Sequence, residues 1–255
     1  MKEAIIGIVG ASVLSMSAMA QTAQPAVATN DSGFASFFKL NDFSFDEKIN
    51  FYNLDTGNVT QFVQQLNWQT PIKDLTTHLT LPVYTDGVTG AGMLDLGADW
   101  TFVHKPLSFM DKADFSVDVK LPTSSAGYGG NSVNVVLGLA TEGTTFVDKL
   151  SWGAGMNWEF NTNGDYIPVF GGFTTQDIMN VNADLAYQLV DKLDLAVNYN
   201  FWYLDSGESL STIGPALNWD VCPNANLNFG VDVPFAQYSG SPLDLIVRFG
   251  GSVKF

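Results

Sequence analysis

PLDLIVRFGGSVKF, residues 242–255, is the stretch whose reading decides the fold. Leu243, Leu245, Val247, Phe249, Val253 and Phe255 fall on one parity, while Asp244, Arg248, Ser252 and Lys254 fall on the other, with Ile246 the apolar exception. Successive side chains of an extended chain point to opposite sides. The segment therefore reads as a strand with one apolar and one polar face, ending on an aromatic residue.

The same pattern runs backwards through the chain. In LDLAVNYNFWY (193–203) Leu193, Leu195, Val197, Tyr199, Phe201 and Tyr203 oppose Asp194, Ala196, Asn198, Asn200 and Trp202. NLNFGVDVPF (226–235), MNVNADLAYQL (179–189), KLSWGAGMNWEF (149–160) and ADFSVDVKL (113–121) alternate likewise. Segments of about ten residues alternating in this way, separated by turn residues, are the signature of a transmembrane antiparallel β-barrel. About twelve such strands are expected between residues 41 and 255, an even number that brings both termini to one side.

Alternation alone also suits a soluble periplasmic sandwich with one wet face. Three features favour the barrel. Residues 1–20, MKEAIIGIVGASVLSMSAMA, join Lys2 to an apolar core over Ala4–Leu14 and a small-x-small site at Ala18-Met19-Ala20. That is a secretory signal, with cleavage expected before Gln21 and a flexible segment over 21–40. Trp68, Trp100, Trp152, Trp158 and Trp219 stand on the apolar parity, mostly near segment ends, as rings with a polar edge do at a lipid–water boundary. Finally, the connections alternate in character. Those near 71–74, 105–112, 141–148, 190–192 and 222–224 read as periplasmic turns; those near 55–58, 86–90, 123–131, 161–175, 205–208 and 239–241 are richer in Gly, Ser and Asp and read as outer loops. The loop NTNGDYIPVFGGFTT (161–175) could fold inward as a plug or outward as a contact surface.

The expected setting is therefore the outer membrane of a Gram-negative-type bacterium. The expected partners are its lipid, the barrel-assembly machinery through the strand ending in Phe255, and small solutes. Nucleic acid is excluded: the net charge is -15, with 11 Lys and Arg in total and no basic stripe. A single cysteine, Cys222, rules out a disulfide framework.

By parity the polar face carries Asp95, Asp99, Asp114, Asp118, Glu159, Asp184, Asp194, Asp220, Asp232 and Asp244, against Lys48, Lys120, Arg248 and Lys254. Ionised carboxylates are expensive against lipid, so this face is read as the lumen lining. Its surplus of acid disfavours anions, although a charge ladder that only stiffens the barrel fits equally well. Gly97, Gly138, Gly153, Gly155, Gly214 and Gly230 on the same parity leave space or allow the sheet to coil. No cofactor or metal is expected. Acidic loop residues Asp86, Asp205 and Glu208 lack the D-x-D-x-D-G pattern of a calcium loop. No enzyme is expected either. The histidines are His78, at the inward parity in TTHLTLPV, and His104, at a turn, and neither G-x-S-x-G nor H-E-x-x-H occurs.

GAGMLDLGADWTFV (90–103) and FSVDVKLPTSSAGYGGNSVNVVLGLATEGTTFVDKLSWGAGMNWEFN (115–161) combine a G-x-G-x-x-x-L-G strand, a K-L-P-T strand end, a Gly-rich loop and a return through L-G-L-A. Over about a third of the chain this resembles the outer-membrane transporter family of MetA-pathway phenol-degradation proteins. The resemblance implies a barrel that passes hydrophobic or aromatic small molecules, and it brings no catalytic residues. Two functions thus stand open: a passive channel for small, aromatic or weakly polar solutes, and a structural or interaction barrel with an occluded lumen acting through its outer loops.

Overall fold

The computed structural model describes residues 42–255, apart from residues 108, 126 and 239. The signal peptide expected over 1–20 and the segment 21–40 lie outside the described residues. Fifteen strands follow in order: β1 (Phe43–Leu54), β2 (Gly57–Gln69), β3 (Leu75–Thr85), β4 (Thr89–Ala91), β5 (Leu94–Leu107), β6 (Met110–Leu121), β7 (Asn134–Thr144), β8 (Leu150–Phe160), β9 (Asp165–Ile167), β10 (Gly172–Thr174), β11 (Ile178–Val190), β12 (Leu193–Leu204), β13 (Ser209–Cys222), β14 (Ala225–Gln237) and β15 (Leu243–Lys254).

Each long strand pairs antiparallel with its neighbours, β2 also pairs with β3, and β15 pairs with β1, so the sheet closes on itself. The Phe255 N–H donates to the Phe43 carbonyl at 3.0 Å where the two ends of the chain meet. β4 and β5 are two parts of one wall strand, both paired to β3. Counted so, the barrel has twelve strands, the number that the alternation predicts.

The break between β4 and β5 has a local cause. Pro82 of β3 has no N–H to give, and its carbonyl accepts from Gly92, beyond the end of β4. Pro234 likewise sits beside the register shift between β13 and β14.

The two faces differ as the alternation demands. Leu96, Leu137, Leu139, Met156, Leu185, Leu195, Val197, Leu217, Phe229 and Val233 lie exposed on the outer face, with Trp100 at 53% and Trp219 at 51% exposure toward its rim. A continuous apolar band of this kind marks a face made for something other than water. The tight turns fall at the end holding both termini. Asp74, Lys149 and Lys192 occupy the left-handed region there, with φ of 63°, 63° and 72°. Each hands its carbonyl to the next strand, to Thr101, Gln188 and Asp220 respectively.

One parity expectation is overturned. A bulge between Asn53 and Leu54 shifts the pairing of β1 with β15, so that Leu54 faces Leu243 while Asn53 faces Leu245. Leu243, read as outward, is 1% exposed inside the barrel. Asp244, read as inward, is the extra residue of the bulge and is exposed. His104 lies within β5 rather than at a turn.

Candidate functional site

The inner face changes character along the barrel axis. Toward the termini it is polar and linked by ions and amides. Lys112 pairs with Asp114 at 3.3 Å and with Glu142 at 3.5 Å, and Thr101 donates to the Asp114 carboxylate. His78 lies between Asp99 and Asp118, with Nδ1 3.0 Å from one carboxylate and Nε2 2.9 Å from the other. Arg248 donates to Asp232 at 2.8 Å, and Asp232 is only 1% exposed. Asn67 donates to Asp46 at 2.6 Å. Lys48, Asn50, Asn198, Asn218, Asn228 and Arg248 border a cavity of about 200 Å³.

Toward the loop end the inner face becomes a protein core. Tyr52, Leu54, Val59, Tyr84, Leu210, Leu243 and Ile246 come from five wall strands, and Tyr128, Tyr166 and Val169 come from two loops; all ten are buried together. The loop holding β9, the 3₁₀ turn Pro168–Phe170 and β10 therefore folds inward, which decides between the two courses left open for residues 161–175. Tyr84 stacks on Tyr128 at 5.6 Å, and Tyr166 meets both rings at 4.8 Å and 5.0 Å. Aromatic pairs at such separations add about 0.5–1.5 kcal/mol beyond area burial. The phenols are not left unpaired. Tyr128 donates to Asp86, with the Val88 carbonyl 2.7 Å away, and Tyr166 donates to the other Asp86 oxygen at 3.3 Å. Gln61 forms the boundary between the halves: it accepts from Asn50 and Tyr52 and donates to Tyr84.

Polar ties pin the loop to the wall. Lys120 of β6 bridges Glu159 of β8 and Asp165 of β9, with Nζ 2.5 Å and 2.6 Å from their oxygens. Asn134, fully buried, donates to Asn161 and to the Gly164 carbonyl while accepting from the Thr162 N–H. Gly130 lets the two loops meet at backbone distance: a Cβ there would lie 2.6 Å from the Gly164 carbonyl oxygen.

The polar residues read from parity thus do not form one acidic ring. Lys120 and Glu159 join the loop tie; Asp99 and Asp118 hold His78; Asp232 takes Arg248; and Asp114 takes Lys112. Asp95 lies opposite Lys120 in register, with one oxygen buried and without a hydrogen bond. Asp184 lies over Gly153, while Asp194 and Asp220 face Asn218 and Asn226 across their strand pairs. These last three have no ion-pair partner among the described residues. Sequence reasoning missed Asp165 and the tyrosines Tyr52, Tyr84, Tyr128 and Tyr166, and met Asp86 only as an acidic loop residue. A visible signal was Tyr52 and Tyr84 standing on the polar parity of β1 and β3, where large rings need something to pack against.

Three solved barrels share this architecture. An outer-membrane channel from Pseudomonas putida F1 superposes with a TM-score of 0.62 at 14% identity, over 89% of this chain and 100% of that one. The NanC porin gives 0.58 at 9% identity over 83% of this chain and 100% of its own. The KdgM porin, solved in complex with disordered oligogalacturonate, gives 0.53 at 12% identity over 83% and 99%. No protein-family model matches the chain, and no curated protein matches it either, so the phenol-degradation resemblance gains no family match. The fold is that of outer-membrane channel and porin barrels.

Proposed function

We propose that the chain is a passive outer-membrane channel for small, weakly polar or aromatic solutes, with the loop over residues 161–177 as its constriction. One observation carries the reading: a closed barrel whose inner face is polar at one end and narrowed by a folded-in, aromatic loop at the other. Below the buried tyrosine cluster of the loop end, a solute meets amides and charges. Inward carboxylates outnumber inward cations, which supports a preference for cations over anions. The end holding both termini is assigned to the periplasm, and the strand ending in Phe255 to recognition by the assembly machinery.

Planar bilayers test this directly. The refolded barrel should give small, discrete conductance steps and a reversal potential toward the cation side in a salt gradient. Absence of both steps and solute uptake by liposomes would favour the second reading, a barrel closed at the loop end that acts through its outer surface. The ten-residue aromatic and aliphatic core across that end is what supports the second reading.

A further inference from the structure

We infer that the inner wall holds a site for one divalent transition-metal ion, ligated by His78, Asp95 and Asp118, with Asp99 supporting the histidine from behind. The site is independent of the channel reading.

The register places these groups together. His78 of β3, Gly97 of β5 and Asp118 of β6 lie in one row across three adjacent strands. Gly97 contributes no side chain, so His78 and Asp118 reach over it and meet. A Cβ on Gly97 would lie 2.0 Å from His78 Nε2 and 1.9 Å from Asp118 Oδ1, so these two side chains can meet there only because the residue is glycine. Asp95 and Asp99 flank Gly97 two residues away on either side, on the same face of β5. One ligand atom each from His78, Asp95 and Asp118 lies within 4.8 Å of the others.

Two buried carboxylate oxygens beside His78 have no hydrogen bond in good geometry. His78 is nine-tenths buried, and its Nδ1 lies 3.0 Å from Asp99. An N–H given to Asp99 leaves the Nε2 lone pair facing Asp118 Oδ1, 2.9 Å away. In the neutral imidazole, two lone pairs at that distance repel, whereas an imidazolium would give an N–H to each carboxylate. Asp118 Oδ1 accepts no hydrogen bond in good geometry, and Asp95 Oδ1, equally hidden from solvent, accepts none. A cation between the three atoms converts this repulsion into coordination. The order carboxylate, histidine, metal is how ligating imidazoles are commonly held, the outer carboxylate fixing the tautomer. Charge agrees: three carboxylates surround one imidazole, and the nearby Lys120 is already occupied by Glu159 and Asp165. One imidazole nitrogen with carboxylate oxygens suits Zn²⁺ or Mn²⁺ better than Ca²⁺ or Mg²⁺, which take oxygen ligands. Asp99, 43% exposed, marks the side open to the lumen.

The experiment uses the full refolded barrel in detergent, stripped with chelator. Zn²⁺ followed by calorimetry should bind one to one. His78→Gln and Gly97→Ala should each remove that binding, the second by forcing His78 and Asp118 apart, and Asp99→Asn should weaken it by about 10–100-fold. Heat-shifted gel migration reports whether each variant is folded. On the unaltered protein, pulsed EPR of bound Mn²⁺ should show coupling to one imidazole nitrogen, so the test stands even if a variant fails to fold. Three results would overturn the site: no stoichiometric Zn²⁺ binding, binding that folded His78→Gln leaves unchanged, or Mn²⁺ without nitrogen coupling. In those cases His78 is an imidazolium strut between Asp99 and Asp118.

Discussion

The two halves of the barrel interior obey the same alternation and end as different materials. Near the termini, inward residues such as Lys48, Asn198, Asn218 and Asn228 border open space. At the loop end, inward residues of the same strands, Tyr52, Leu204 and Leu210, are buried. The difference comes from outside the wall: Tyr128, Tyr166 and Val169 arrive on loops and turn a lumen surface into a core. A barrel end becomes a core when its loops supply a second layer, and stays a lumen where its turns are too short to do so.

The comparison can be broken most drastically by removing that layer. Replacing Tyr166–Phe170 with a Gly/Ser stretch of equal length should raise single-channel conductance several-fold while the barrel still migrates as folded. Unchanged conductance would mean that the loop does not set the narrowest point. A smaller but still large effect follows from cutting the tie. Lys120→Ala leaves Glu159 and Asp165 buried with no cation between them, and losing one partner of such a pair costs about 3–5 kcal/mol. The folded-to-unfolded midpoint in denaturant should fall accordingly, and conductance noise should rise as the loop loosens.

The loop end should also respond to alkali. Burial, and then the hydrogen bond to Asp86, push the Tyr128 phenol up to about 12. A raised folded value means the neutral phenol is the form that packs. Its contribution is complete below the ordinary phenol range near 10 and is lost as the pH rises through about 12. Phenolate absorbance should therefore appear later for Tyr128 than for an exposed tyrosine, and Asp86→Asn should bring it earlier. The smallest effect belongs to the terminal end. Lys192 holds a left-handed conformation at φ 72° in the tight turn between β11 and β12. Lys192→Gly should stabilise the barrel by about 1 kcal/mol in a denaturant titration, with conductance unchanged.

The wall was legible because its signal is local. In β12 each residue from Leu193 to Leu204 takes the side that its parity assigns, since one face meets an apolar surround and the other does not. Legibility failed where an extra residue enters. The bulge beside Leu54 turns Leu243 inward and leaves Asp244 exposed, and nothing in PLDLIV marks the extra residue. The metal-site geometry failed for another reason. Asp95, Asp99 and Asp118 were picked out singly by parity, but their meeting with His78 depends on the register of β3, β5 and β6, a relation between strands that alternation along one strand does not contain. The inward fold of residues 161–175 was equally invisible. Its ties run to Lys120, Asn134 and Asp86, which lie tens of residues away in the chain.

The hydrogen bond from the Phe255 N–H to the Phe43 carbonyl has a consequence for how the molecule comes into being. Every pairing in the wall but one joins strands that follow each other along the wall in chain order; only that of β1 with β15 spans the whole chain. Until the last residues arrive, the sheet keeps two bare edges, each a row of unpaired donors and acceptors that hydrocarbon cannot satisfy. Closure therefore removes the cost that an open edge would carry in hydrocarbon. A chain shortened by its final strand is not a narrower barrel but an open sheet with nowhere in a bilayer to go.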